Sequence, residues 1–143
     1  MLMSTFKFAA FAGLILLSVG CSTTPISPSN NPPFSQTDLR LGTGSVAAAG
    51  QTLTVNYTGW FYDASLPDQK GLSFDSTLGK SPFLFVLGTD QVIRGWDQGL
   101  PGMRVGGLRR LVIPPSLAYG SERIGSIPPN TTLLFEIELL SAQ

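Results

Sequence analysis

Residues 91–96 read Gln-Val-Ile-Arg-Gly-Trp, two adjacent branched aliphatics and a tryptophan on a segment predicted to be a very short helix. Such side chains make no bonds of their own, but an indole so placed can floor an apolar pocket. Ile93, Trp96 and Leu100 fall at i, i+3 and i+7, one helical face. Gly95 and Gly99 each lower helix propensity by about 1 kcal/mol relative to alanine, so the segment needs a sheet to hold it. The chain has no histidine among its 143 residues. That absence removes the commonest general base, the commonest zinc ligand and the usual activator of serine nucleophiles. Hydrolase and metalloenzyme readings lose most of their support with it.

The elements that must position this segment follow from alternation. Leu53, Val55 and Tyr57 alternate with Thr52, Thr54, Asn56 and Thr58, one buried and one wetter face of a strand. Phe83, Phe85 and Leu87 repeat the period, as do Leu133, Phe135, Ile137 and Leu139, with Glu136 and Glu138 facing out. Residues 108–113, carrying Arg109 and Arg110, form another strand that ends at Pro114 and Pro115, because proline removes a ladder donor. The predicted order is strand, strand, a long loop over 63–72, strand, strand, short helix, strand, a Pro/Gly-rich loop and a last strand. One short helix cannot cover two faces of a sheet, so the expected class is α+β. The predicted architecture is a curved antiparallel half-barrel of five to six strands wrapped around the helix. Tyr57, Phe74, Phe85 and Phe135 would then wall a pocket floored by Trp96.

Outside this unit the composition changes. Residues 8–20 form an apolar run behind Lys7, too short for the roughly 20 residues a bilayer span needs, and residues 1–20 read as a signal peptide. The only cysteine, Cys21, follows Leu17-Ser18-Val19-Gly20. The arrangement resembles a bacterial lipobox, with leucine one step further back than usual. The resemblance implies a lipidated Cys21 and a membrane anchor; the alternative is an ordinary Sec signal cleaved nearby, which leaves Cys21 a lone thiol and the chain released. Ser22 lacks the aspartate character associated with inner-membrane retention, which points to the outer membrane. Residues 21–35 are rich in Ser, Thr, Pro and Asn, a disordered tether, and residues 36–143 form the domain. Without Lys7 the remainder keeps eight of nine basic residues and all nine acidic ones, a side-chain charge of −1. Nucleic acid is therefore not an expected partner.

Six short words occur in one order: Val55-Asn56-Tyr57-Thr58-Gly59, Phe74-Asp75-Ser76, Pro82-Phe83-Leu84-Phe85, residues 91–96, Ala118-Tyr119-Gly120 and Ile127-Pro128-Pro129. Over residues 36–143 they resemble the FKBP-type peptidyl-prolyl cis-trans isomerases. The resemblance implies a proline pocket lined by Tyr57, Phe74, Asp75, Phe85, Val92, Ile93, Trp96, Tyr119, Ile127 and Phe135. Trp96 is implied as the platform under the proline ring, Val92 and Ile93 as the shelf beside it, and the Ile93 N–H as a donor to substrate. Asp75 is implied as a buried-edge carboxylate and Tyr119 as a hydroxyl donor. Without the resemblance, Asp75 reads as a loop acid or turn cap and Tyr119 as a turn tyrosine. Phe83 falls on a neighbouring sheet position outside the site, and Arg94 reads as a surface or Asp-paired residue. The chain departs from the small family domain by extra residues between Gly59 and Phe74 and by a shorter segment over 121–127, where Ser126 replaces an aliphatic.

The reaction so implied suits an apolar pocket. Rotation about an amide is opposed by a barrier of about 18–20 kcal/mol, and X-Pro bonds alone populate both isomers substantially. A twisted amide loses resonance and carbonyl polarity, so a water-poor site favours it over the planar ground state. The expected function is isomerisation of X-Pro bonds in exported proteins, with no cofactor and no covalent step. The expected partners are proline-containing polypeptides, macrolide inhibitors and a membrane reached through the N-terminal lipid. The domain is expected to act as a monomer in the periplasm or at the cell surface. The alternative is a non-catalytic module that holds proline-containing segments as an envelope chaperone.

Overall fold

The computed structural model describes residues 31–143. The signal peptide, Cys21 and most of the tether lie outside the described residues. The strands are β1 (Ser35–Arg40), β2 (Thr52–Tyr62), β3 (Lys70–Ser76), β4 (Phe83–Val86), β5 (Leu108–Ile113) and β6 (Leu133–Ala142). One helix, α1 (Arg94–Gly99), separates β4 from β5, and a single 3-10 turn over Pro115–Leu117 follows β5. The strands form one antiparallel sheet in the order β1-β5-β6-β2-β3, with β4 also paired to β2. The predicted half-barrel around one short helix is what the chain forms.

Alternation sets the two faces of this sheet. Leu133, Phe135, Ile137 and Leu139 of β6 and Leu53 and Val55 of β2 are buried in the core, while Glu136 and Glu138 point the other way. The second face is closed by charge pairs: Glu136 receives Arg110 at 2.8 Å and Lys70 at 2.9 Å, and Glu138 receives Arg40 at 2.6 Å. Lys70 also lies 4.5 Å over the Trp60 ring.

Helix α1 is held by its weakest helix formers. A Cβ on Gly95 would lie 2.5 Å from the Ile113 side chain, and one on Gly99 would lie 2.6 Å from Leu111. Both glycines therefore face β5, and their lack of side chains lets the helix lie directly on the strand. Arg109, only 6 % exposed, fixes the far end: it pairs with Asp38 of β1 at 2.6 Å and donates to the Gly99 carbonyl at 2.7 Å. The N-terminal segment is tied down by a hydrogen bond from the Thr132 hydroxyl to Asn31 and by Phe34 packed on the core.

The helix differs from expectation at its start. Ile93 is its N-cap with φ −59° and ψ 149°, so Val92 and Ile93 precede the helix rather than form its first turn. Leu100 closes it, with its N–H bonded to the Trp96 carbonyl at 3.0 Å. Two glycines in six residues leave too little propensity to extend the helix, and the extended Ile93 backbone frees its N–H. No described residue accepts from that N–H. The loop between β2 and β3 is also shorter than the expected 63–72, because β3 begins at Lys70.

Candidate active site: an aromatic pocket over α1

Strands β2, β3, β4 and β6 and the entry to α1 converge on a cavity of about 160 Å³. An apolar cavity of about 150 Å³ holds one benzene ring, so this one suits a single small ring. Trp96 is its floor, 4 % exposed. Tyr57 and Phe135 stand edge-on to the indole at 5.1 and 5.4 Å, and Phe85 lies tilted against it at 5.5 Å. These contacts fix the plane of the indole. Its N–H is buried without a hydrogen-bond acceptor among the described residues.

Tyr57, Phe74, Asp75, Val92, Ile93, Trp96, Tyr119 and Phe135 all line the cavity, as the sequence reading placed them. Phe85 and Ile127 do not. Phe85 is buried at 3 % exposure beneath Trp96, and the residue of β4 that reaches the cavity is Phe83, 38 % exposed and stacked on Phe85 at 5.7 Å. Residues two apart share a face, so alternation selected the correct face of β4 without saying which phenylalanine stood at the mouth. Ile127 packs in the core at 7 % exposure, held by reciprocal backbone hydrogen bonds with Ile124 at 2.8 and 3.1 Å. The exposed aliphatic of that segment is Ile124, at 42 %. Gln91, also missed, lines the cavity and accepts the Val86 N–H at 2.9 Å, which ties the approach to α1 to β4. A polar residue beside an apolar pair gave no signal of that contact.

The polar rim is built from few groups. Tyr57 Oη donates to Asp75 Oδ2 at 2.5 Å, and the Ser76 N–H donates to Asp75 Oδ1 at 2.8 Å. Asp75 is exposed at the lip rather than buried at an edge, because β3 is the outer strand of the sheet. Burial pushes the Tyr57 hydroxyl well above its ordinary range, reinforced by the hydrogen bond to Asp75 and that carboxylate's charge. The Tyr119 hydroxyl is also raised, by burial first and then by the charge of Asp75. Both tyrosines therefore stay protonated and able to donate. Tyr57 spends its proton on Asp75, whereas the Tyr119 hydroxyl makes no hydrogen bond with a described residue. Arg94 is exposed, with no ion-pair partner among the described residues.

Comparison with known proteins agrees with this geometry. The family model described as FKBP-type peptidyl-prolyl cis-trans isomerase matches residues 44–140. The FK506-binding protein of Neisseria meningitidis serogroup B is 46 % identical over 105 residues, covering 72 % of this chain and 90 % of that protein. Among solved structures, FkpA from Escherichia coli is 38 % identical with a TM-score of 0.66, covering 77 % of this chain and 48 % of its own. The present chain thus spans about half of FkpA. AtFKBP13 is 36 % identical with a TM-score of 0.66, covering 77 % of this chain and 93 % of its own.

Proposed function

The chain belongs to the FKBP-type peptidyl-prolyl cis-trans isomerase family, and we propose that the cavity over Trp96 is where it twists the X-Pro bond. The protein is a peptidyl-prolyl cis-trans isomerase. The observation that carries the site is a ring-sized aromatic cavity whose rim keeps donors unspent, the Ile93 N–H and the Tyr119 hydroxyl. The proline ring sits on Trp96 between Tyr57, Phe74 and Phe135. The Ile93 N–H and Tyr119 hydroxyl bind substrate carbonyls, and Asp75, held by Tyr57, supplies the one carboxylate of the lip.

Rate enhancement follows from differential binding. The planar amide is the more polar state and loses more on entering an apolar cavity, while the twisted amide loses less. Each 1.36 kcal/mol of that difference is about tenfold in rate. No proton transfer or covalent step is required of these residues. An NMR exchange or protease-coupled assay on an X-Pro peptide tests the site through Trp96→Leu and Asp75→Asn. Loss of most activity in folded variants is expected, and wild-type rates in both would refute the assignment.

The same cavity would accept FK506-type macrolides, as the name of the Neisseria relative suggests. For the chain as a whole, residues 1–20 act as an export signal, Cys21 carries a lipid, and the stretch from Cys21 to residue 30 tethers the domain. The domain begins earlier than residue 36, because Asn31, Phe34 and Ser35 already bond to or pack on it. In the bacterial cell envelope it isomerises exported proteins as a monomer. The apolar run ending in Leu17-Ser18-Val19-Gly20-Cys21 supports this reading. Mass spectrometry of the mature N-terminus tests it. An acylated Cys21 is expected, and an unmodified chain cut elsewhere would overturn it.

A further inference from the structure

A second, open groove of about 560 Å³ runs between the approach to α1 and the segment after β5. Val92, Ile93 and Tyr119 line both this groove and the proline cavity, so one begins at the wall where the other ends. The cavity is filled by a single ring, and a polypeptide entering it by a proline must continue over its rim. The wall with the unspent Ile93 N–H and Tyr119 hydroxyl leads directly into the groove.

The groove carries three charges: Asp90 and Arg94 on the α1 side and Glu122 on the other. None of the three side chains makes an ion pair or hydrogen bond with a described residue. Their neighbour Asp97 behaves differently, its carboxylate occupied by the N–H groups of Gly88 at 2.8 Å and Asp90 at 3.1 Å. Glu136 and Glu138 across the sheet are likewise paired. Among the residues that line the groove, two unpaired acids thus stand against one unpaired base, while the exposed Arg123, next in the chain after Glu122, lies outside the lining.

We propose that this groove carries the substrate polypeptide adjoining the proline and that Asp90 and Glu122 make it favour a basic side chain there over an acidic one. The proposal rests on the isomerase reading of the cavity and adds the flanking preference of its substrates. Within the lining a lysine or arginine meets an acid on either wall, whereas a glutamate meets only Arg94, beside Asp90. Exposed ion pairs of this kind change a rate by roughly two- to fivefold and are weakened by salt.

The test is NMR exchange at low ionic strength on matched peptides with Lys, Glu or Gln two residues from the X-Pro bond, before it in one series and after it in another. The full chain should show kcat/KM higher for Lys than for Glu by roughly two- to fivefold in at least one series, with the ratio shrinking at high salt. Glu122→Lys should reverse the preference and Arg94→Gln should widen it. Asp68→Lys makes the same charge change as Glu122→Lys outside the groove and should leave the preference in place. Equal rates for Lys and Glu in both series, or a ratio shifted alike by Glu122→Lys and Asp68→Lys, would overturn the proposal. The Gln peptide separates the two readings, since its not being turned over by wild type would defeat the assignment of the cavity instead.

Discussion

The two faces of the sheet are made by the same strands and treat polar groups in opposite ways. On the outer face Glu136 takes both Arg110 and Lys70, Glu138 takes Arg40, and Lys70 caps Trp60. On the face over α1 the Ile93 N–H and Tyr119 hydroxyl have no described partner, and neither does the Trp96 N–H. An unmade hydrogen bond at a buried group costs about 1–3 kcal/mol. Of the three, only the Trp96 N–H is fully buried and bears that cost; the Ile93 N–H and Tyr119 hydroxyl belong to half-buried residues of the pocket rim. Partnered charges mark the side that only holds the sheet together, and withheld donors mark the side that awaits a ligand.

Substitutions on the two faces should therefore separate rate from stability. Trp96→Leu has the largest expected effect, a fall in kcat/KM on the order of a hundredfold. Its loss of stability should stay below the roughly 3–5 kcal/mol of a full tryptophan-to-alanine truncation. Exchange kinetics and denaturant melts on the same sample measure both. Asp75→Asn keeps size and an acceptor for Tyr57 but removes the charge, and should lower kcat/KM about tenfold with little change in melting temperature. If either variant lost stability in proportion to rate, the two faces would not differ as described.

Two pH experiments sharpen the contrast. Tyr57 ionises less readily in the fold than in the unfolded chain, chiefly because it is buried and then because of Asp75. Its contribution to stability is complete below its ordinary pKa of 10.0 and disappears as pH rises beyond that. Tyr57→Phe should lose less stability than wild type in alkaline melts. Glu136 is the reverse case. Burial opposes its ionisation, but hydrogen bonds from Arg110 and Lys70 outweigh that and hold its pKa below the ordinary 4.5. Its stabilisation is complete above 4.5 and is lost as pH falls below that value. Glu136→Gln should flatten the acid limb of stability against pH while leaving kcat/KM at neutral pH unaltered, the smallest effect of the four.

The strands were legible because β2, β4 and β6 alternate cleanly, and Pro114 marked the end of β5. The site was legible as a set of aromatics on one face, with Trp96 where expected. What escaped the sequence depended on depth along a strand. Phe83 and Phe85 have identical parity, and only the curvature of the sheet decides which meets solvent. Ile127 was displaced into the core because the backbone pairing with Ile124 turns that segment back on itself. The helix start was misread because propensity rules speak to the glycines inside α1, whereas their contacts with Ile113 and Leu111 decide where the helix lies.

The centre of the sheet joins an early strand to the last one: Leu53 of β2 sits opposite Ala142 of β6, and the ladder continues to Phe61 opposite Leu133. During synthesis β2 therefore emerges long before its principal partner exists. Pairings between such distant parts of a chain form slowly, since loop closure must precede the contacts that reward it. Until the final strand is made, the aromatic residues of β2 and β4 lack the surface that buries them. The nascent domain is an unfolded client in its own right before it can act on any other chain.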